Sequence, residues 1–223
     1  MYVPRHFTLT DLTEITAFAD AAQSADLVTF DGTKPVSTLL PVIWDRPDDF
    51  DGGASCGRLL GHIAIANEQW QTALPGAAAL AIIRGPQSYI SPAWYEAKAR
   101  HGRVVPTWNY EAVHLTGDVR FHHDTDWLRA FVTRLTRLHE SGREHPWAVT
   151  DAPPEYIDGQ LRAIVGVELT ITSIEAKQKL SQNRSEMDRA GVVAGLRDEP
   201  GPGPAAIAAA MAGQLGGVKA SAG

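Results

Sequence analysis

One cysteine, Cys56, occurs in 223 residues, which excludes an intrachain disulfide and any metal site built from clustered cysteines. Long apolar runs are missing too. The longest, such as Ala77–Ile83, are far too short to cross a bilayer. The opening residues MYVPRHF lack the charged-then-apolar leader of a secretory signal, so a reducing cytoplasm is the expected compartment. Basic charge is in short supply, with 20 Lys and Arg against 26 Asp and Glu and a formal net charge of -6. That balance argues against a broad electrostatic footprint for nucleic acid, although a local basic patch remains compatible with it. No Gly-x-Gly-x-x-Gly or Walker phrase is present, so classical dinucleotide and P-loop sites are unsupported. What is present is ordinary globular composition, 44% hydrophobic and 21% charged, enough for one sizeable core with a small appendage.

Periodicity places the elements. Asp11–Ala22 reads as an amphipathic helix, with Leu12, Ile15, Phe18 and Ala22 on one stripe. Leu27–Phe30 and Val36–Ile43 flank an Asp31-Gly32 step, a hairpin signal. A third strand is expected near Arg58–Ile63, one or two helical turns over Ala64–Thr72, and a short buried strand at Ala79–Ile83. Val113–Phe121 and Val165–Ile174 alternate cleanly between apolar and polar residues. Between them, Trp127, Leu128, Phe131, Val132, Leu135 and Leu138 make the buried stripe of a helix over Asp124–Glu140, and a Pro-marked helix starts near Pro154. A further helix is expected near Ser185–Leu196. This order of elements is not the strict strand–helix alternation of a doubly wound sheet. It predicts a mainly β, α+β barrel with flanking helices. The domain is expected to span residues 1–197. Residues 198–223, opened by Pro200-Gly201-Pro202-Gly203-Pro204, are expected to be a Pro/Gly/Ala-rich appendage, with a helix over Ala205–Leu215 and a frayed Gly216–Gly223 tail.

Several familiar spellings lack their context. Gly53-Ala54-Ser55-Cys56-Gly57 matches a nucleophile elbow, but a loop leads into it and a strand follows. His139-Glu140 has Arg143 where a metalloprotease helix needs its second histidine. His122, His123, Asp124 and Asp126 read better as a solvated turn with an Asp cap than as metal ligands, and no metal is expected.

Three stretches hold an unusual density of aromatic, hydroxyl and amide groups: Gly85–Tyr95, Val105–Tyr110 and Lys177–Arg184. Gly61-His62 and Asn67 form a weaker fourth. Each alone reads as ordinary buried aromatics or a solvated segment. Together they supply what a flavin needs. That is a flat apolar surface for the ring, amides and hydroxyls for its edge, and cations with hydroxyls for a terminal phosphate.

The phrases MYVPRHF, GHIAIANEQW (Gly61–Trp70), GPQSYISPAWYEAK (Gly85–Lys98), VPTWNYEAVHLTG (Val105–Gly117) and KLSQNR (Lys179–Arg184) resemble, in order, the PaiB family of FMN-binding negative transcriptional regulators. The resemblance runs from Met1 to about Leu196. It implies a six-stranded antiparallel FMN-binding split barrel, similar to pyridoxamine-phosphate oxidases and flavin reductases, and a homodimer with FMN at the subunit interface. The flavin candidates it suggests are Thr38, His62, Asn67, Tyr89, Ser91, Trp94, Trp108, Asn109, Tyr110, Lys179, Ser181, Gln182 and Asn183. Two departures stand out: Thr38-Leu39-Leu40-Pro41 where relatives often have Thr-His-Leu-Pro, and Glu175-Ala176-Lys177 where they have Glu-Gly-Lys.

The expectation that follows is a flavin- or redox-linked regulator acting through a protein or small-molecule partner, because nothing in the sequence supports direct DNA binding. A flavin-dependent oxidoreductase, with His62 or His114 as proton donor, is the alternative from another class. A split barrel holding haem or no cofactor is the third.

Overall fold

The computed structural model describes residues 1–48, 50–53 and 56–220, with 216–220 described as backbone alone. Ser55 of the elbow-like phrase and the end of the tail lie outside the described residues. Among the described residues there are six strands: β1 (Ser24–Phe30), β2 (Pro35–Asp45), β3 (Arg58–Ala64), β4 (Ala79–Ile90), β5 (Thr107–His122) and β6 (Ile164–Lys179). The helices are α1 (Leu12–Ala22), α2 (Gln69–Thr72), α3 (Glu96–His101), α4 (Thr125–Glu140), α5 (Pro154–Leu161), α6 (Glu186–Asp198) and α7 (Pro202–Ala220). The strands hydrogen-bond in the order β1-β2-β3-β6-β5-β4, and β4 closes the barrel on β1. This is the barrel with flanking helices that the element order predicts, and the six-stranded antiparallel split barrel that the family resemblance implies. No described helix is long and apolar enough to cross a membrane.

Local chemistry sets the register. At the β1–β2 turn, the Asp31 carboxylate accepts from the Thr33 hydroxyl at 2.7 Å and from the Lys34 and Thr33 amides at 2.8 Å. Those donors, the hydroxyl foremost, hold its pKa down at about 2. Gly32, at φ +94°, supplies the left-handed residue that the turn requires. The hairpin then runs from Phe30 opposite Pro35 to Ser24 opposite Pro41.

Contacts divide the chain into two units. The second comprises Leu12–Ile83 and His114–Ile174. Here α4 lies on the sheet, started by Asp124, whose carboxylate accepts from the Trp127 amide at 2.8 Å. Leu128, Phe131 and Leu135 are buried as the helical stripe predicts. Leu138 is not: it borders an open recess with Ala19 and Ile43 and stays 43% exposed. Gly166 on β6 makes room for Trp127, since a Cβ there would come within 2.2 Å of the indole.

The first unit comprises Met1–Asp11, Arg84–Val113 and the chain from Glu175 onward. Its core joins Ile90, Tyr95 and Leu180 to Val192, Val193 and Leu196 of α6 and to Ile207, Ala208 and Met211 of α7. The segment expected as an appendage therefore carries a longer helix than Ala205–Leu215, and that helix is part of a core. Pro202 and Pro204 sit in its first turn, where a missing N–H costs nothing.

Three strands are also longer than alternation predicted. β4 continues past Ile83 to Ile90, β5 begins at Thr107, and β6 runs on to Lys179. In β4 the buried positions switch from Ala79, Ala81 and Ile83 to Ser88 and Ile90. The reversal falls at Gly85-Pro86, residues suited to a bulge and unsuited to a regular ladder. A simple two-residue period therefore fails across this strand.

Ile207 is fully buried. Ile207→Ala should cost about 2–5 kcal/mol in urea unfolding. An unchanged midpoint would mean that α7 contributes nothing to the folded unit.

Candidate functional site

The ends of β4, β5 and β6 in the first unit bring aromatic and cationic side chains to one place. Residues two apart on a strand share a face, which pairs Gln87 with Tyr89, Trp108 with Tyr110, and Lys177 with Lys179. Tyr89 and Trp108 stay 47% and 46% exposed, with ring centroids 6.5 Å apart and an edge-on tilt. The Trp108 indole N–H donates to Gln87 Oε1 at 3.0 Å, which fixes the plane of the indole. Lys179 Nζ donates to Thr107 Oγ1 at 2.6 Å and to the Trp108 carbonyl. Lys177 is buried, donates to the Tyr2 carbonyl at 3.0 Å, and lies 5.1 Å from the Tyr110 ring centroid. Both ammonium groups thus bond to neutral acceptors. Burial, then the neighbouring Lys177 charge, pushes the Lys179 pKa below the usual lysine value. An anion placed here would offset both effects by stabilising the charged ammonium.

The turn after β6 is shaped from within. Ser181 is buried and adopts φ +61°, a left-handed conformation uncommon for a residue with a side chain. Asn109, fully buried on β5, holds it, with its Nδ2 3.0 Å and its Oδ1 3.2 Å from the Ser181 hydroxyl. Gln182 folds back on the same turn. Its Oε1 accepts from the Leu180 amide at 2.8 Å and its Nε2 donates to the Gln178 carbonyl at 2.6 Å. Asn183 projects at the exposed tip. Asn109, Ser181 and Gln182 therefore set the path of the turn, and Lys179 and Asn183 face outward from it.

Ser91 and Trp94 have local partners. The Ser91 hydroxyl accepts from the Ala93 amide at 3.2 Å, capping the single 3-10 turn Pro92–Trp94. Trp94 presses on α6. A Cβ at Gly195 would lie 2.4 Å from its ring, and one at Gly191 would lie 2.2 Å from its carbonyl oxygen. Only Tyr89 of the YISPAW candidates joins the exposed aromatic face.

The remaining candidates lie in the second unit. Asn67 Nδ2 donates to Thr38 Oγ1 at 2.9 Å, and its Oδ1 accepts from the Gln69 amide at 3.0 Å. The Gln69 side chain, which sequence reasoning missed, is buried and donates at 3.1 Å to the Leu27 carbonyl, Thr29 Oγ1 and the Val36 carbonyl. It pins α2 to the β1–β2 hairpin. Nothing in a single Gln signals that role before the hairpin is known. His62 stands apart, its ring edge-on to Phe131 of α4 at 5.7 Å and its buried Nδ1 without a partner. Burial pushes its pKa down.

The His122–Asp126 cluster is architectural. His122 stacks on Trp127 at 4.3 Å, with Nε2 3.3 Å from a Glu168 carboxylate oxygen but not aligned for a hydrogen bond. His123 packs edge-on to Trp70 at 4.7 Å, and Asp124 caps α4. Among the described residues, no group of three or more His, Cys, Asp or Glu is arranged to hold a metal ion.

Comparison with known proteins gives a consistent picture. A family model described as "Putative FMN-binding domain" matches residues 1–173. The chain is 33% identical over 215 residues to the protease synthase and sporulation protein PAI 2 of Bacillus subtilis, covering 96% of this chain and 98% of that protein. It is 31% identical over 188 residues to an uncharacterized protein of Emericella nidulans, covering 73% of this chain and 75% of the relative. Among solved structures, the FAD and heme binding protein from Mycobacterium smegmatis matches with a TM-score of 0.55 at 17% identity, over 82% of this chain and 78% of that one. The flavocytochrome Anf3 from Azotobacter vinelandii matches with a TM-score of 0.52 at 18% identity, over 85% and 78%. At such identities these two likenesses concern the fold alone.

The His62 environment carries a pH signature. Its folded-state pKa is lowered from 6.5, so the stability it permits is present above that value. As the pH falls below 6.5, the unfolded chain takes up a proton that the folded chain resists, and stability declines until the folded pKa is passed. In His62→Leu, urea midpoints should fall less steeply with acidification than in the wild type. Parallel profiles would show that His62 protonates freely in the folded protein.

Proposed function

This chain belongs to the FMN-binding domain family, of the PaiB type, and from that membership we propose that it is a flavin-linked regulator that senses redox state or a small ligand. FMN is its cofactor. The observation that carries the proposal is the aromatic and cationic face of Tyr89, Trp108, Lys177 and Lys179, whose donor set suits a flavin phosphate. When bound, FMN supplies a ring that accepts and releases electrons. Lys179, Lys177 and exposed Asn183 would hold the phosphate end. Tyr89 and Trp108 would offer the apolar surface for the ring, and Gln87 the amide at its edge. Asn109, Ser181 and Gln182 would position Lys179 by fixing the turn that follows it.

Regulation is assigned an indirect route. The whole chain is acidic, and the second unit holds most of the acidic residues, while basic residues are in excess only in the first. A modest local excess suits capture of a small anion better than a duplex. An oxidoreductase reading has one observation in its favour: both aromatic faces are half-open, leaving a surface on which a nicotinamide donor could stack. Haem has less support, because Gln87, Tyr89, Trp108, Tyr110, Lys177 and Lys179 include no histidine, cysteine or methionine, which leaves tyrosine as the only common haem-ligand type among them.

A homodimer completes the proposal. On the outer side of the barrel, Val28 and Phe30 of β1, Leu39 of β2, and Leu80 and Ile82 of β4 lie together through the pairings of Val28 with Ser37 and Leu80, and of Asp26 with Leu39 and Ile82. Leu39 is 65% exposed. A largely apolar sheet face of this kind, interrupted by Asp26 and Ser37, is a candidate surface for a second copy. Leu39, where relatives often carry histidine, would then serve packing.

FMN titration followed by flavin fluorescence should give saturable binding, weakened about tenfold or more in Lys179→Ala, a loss of about 1.4 kcal/mol. Affinity should also fall with rising pH sooner than an unshifted lysine of pKa 10.5 would dictate. Equal affinity for the variant would remove Lys179 from the site. Rapid reduction of bound FMN by NADH or NADPH would favour the oxidoreductase over the regulator. Light scattering should report a dimer for the wild type and a monomer for Leu39→Asp; a monomeric wild type would end the interface proposal.

A further inference from the structure

A cavity of about 260 Å³ opens between α4 and the segment that leads into α5, wholly within the second unit. Its floor is apolar, made by Val149, Ala152 and Ile157, which belong to or pack on the small core of Leu128, Ile157 and Leu161. Its rim is polar and cationic, with Arg129, Thr136, Arg137 and Thr150. The two arginines differ in one respect. Arg129 is ion-paired with Asp158, so that charge is already neutralised. Arg137 is exposed and, among the described residues, its guanidinium has neither a carboxylate partner nor a hydrogen bond. The Thr136 and Thr150 hydroxyls are equally uncommitted.

The far wall is held in place before any ligand arrives. Glu140 at the end of α4 accepts from the Trp147 amide at 3.1 Å, and Asp151 Oδ2 accepts from the Ala148 amide at 2.8 Å. Such a preformed wall lowers the ordering cost of binding. The size lies just below the usual range of about 300–1,000 Å³ for ligand pockets, which suits a metabolite of one ring or one short branched chain.

We propose that this cavity binds a small organic acid, with its carboxylate on Arg137 and its apolar body on Val149, Ala152 and Ile157. A planar guanidinium matches a carboxylate through two parallel hydrogen bonds. One uncompensated positive charge calls for a single negative one, and the apolar floor calls for a hydrocarbon body. Inorganic phosphate and polar amino acids meet only one of these demands. The ligand site is separate from the Tyr89, Trp108 and Lys179 face in residue content and in the anion it selects.

Phenylacetate serves as the probe, titrated into the full chain by calorimetry and ligand-observed NMR. Saturable binding is expected, about tenfold weaker in Arg137→Gln and about tenfold weaker for the uncharged analogue 2-phenylethanol on the wild type, each a loss of about 1.4 kcal/mol. Arg137 is exposed, so an unchanged melting temperature and unchanged FMN titration are expected for the variant. A filled floor, Ala152→Leu, should weaken phenylacetate while keeping Arg137. Absence of saturation at about 10 mM, a regime weaker than about -3 kcal/mol, would overturn the proposal. So would equal affinity in Arg137→Gln or equal affinity for 2-phenylethanol.

Discussion

Lys177 and Lys179 share one face at the end of β6, and among the described residues no carboxylate is bonded to either ammonium. Two like charges so placed, one of them buried, raise the energy of the folded chain unless something negative joins them. Neighbouring groups contribute only neutral acceptors: the Tyr2 carbonyl for Lys177, the Thr107 hydroxyl and Trp108 carbonyl for Lys179. The same bonds tie β6 to β5 and to the N-terminal segment, so the strand ends cannot settle without presenting these cations. An unmet demand for an anion is thereby built into the fold, and half-open indole and phenol faces beside it add a demand for a flat apolar partner. On the proposed reading, FMN would satisfy both with one molecule.

The supporting structure can be understood as what holds that face still. Asn109 and Ser181 hydrogen-bond to each other, Asn109 Nδ2 also reaches Met211 Sδ at 3.5 Å, and the left-handed backbone of Ser181 turns the chain sharply after β6. Trp94 fills the space left by Gly191 and Gly195, which fixes α6 against the turn. Helix α7 closes the same core through Ile207 and Met211. In the second unit Gln69, Asn67 and Thr38 perform the corresponding task for the β1–β2 hairpin.

Much of the fold was legible in the residues, and the exceptions have physical causes. Helix α4 could be placed from its apolar stripe and Asp124 cap, because a 3.6-residue period survives whatever packs beyond it. Strands β4, β5 and β6 were read too short, since Gly85-Pro86 reverses the in–out alternation of β4 and buried polar residues such as Asn109 and Lys177 break the apolar pattern in the other two. The same segments are chemically dense in one dimension, so a candidate site could be proposed there without knowing where the strands end. What the sequence could not separate was the role of each side chain within those phrases. Trp94 and Trp108 look alike in one dimension, but two glycines a helix away decide that Trp94 is packing, while Trp108 stays 46% exposed. Leu138 shows the opposite failure: it keeps the period of the stripe yet lies beside an open recess.

On the proposed reading, the flavin ring would rest against Trp108 and Tyr89, with its phosphate toward Lys179. Electron-rich indole and phenol rings in contact with an excited flavin quench its emission, so the fluorescence of bound FMN reports this contact directly. In the wild type, bound FMN should be strongly quenched relative to free FMN, and in Trp108→Leu combined with Tyr89→Leu the FMN that still binds should recover most of its emission. Undiminished quenching in that double variant would place the ring elsewhere and contradict the account.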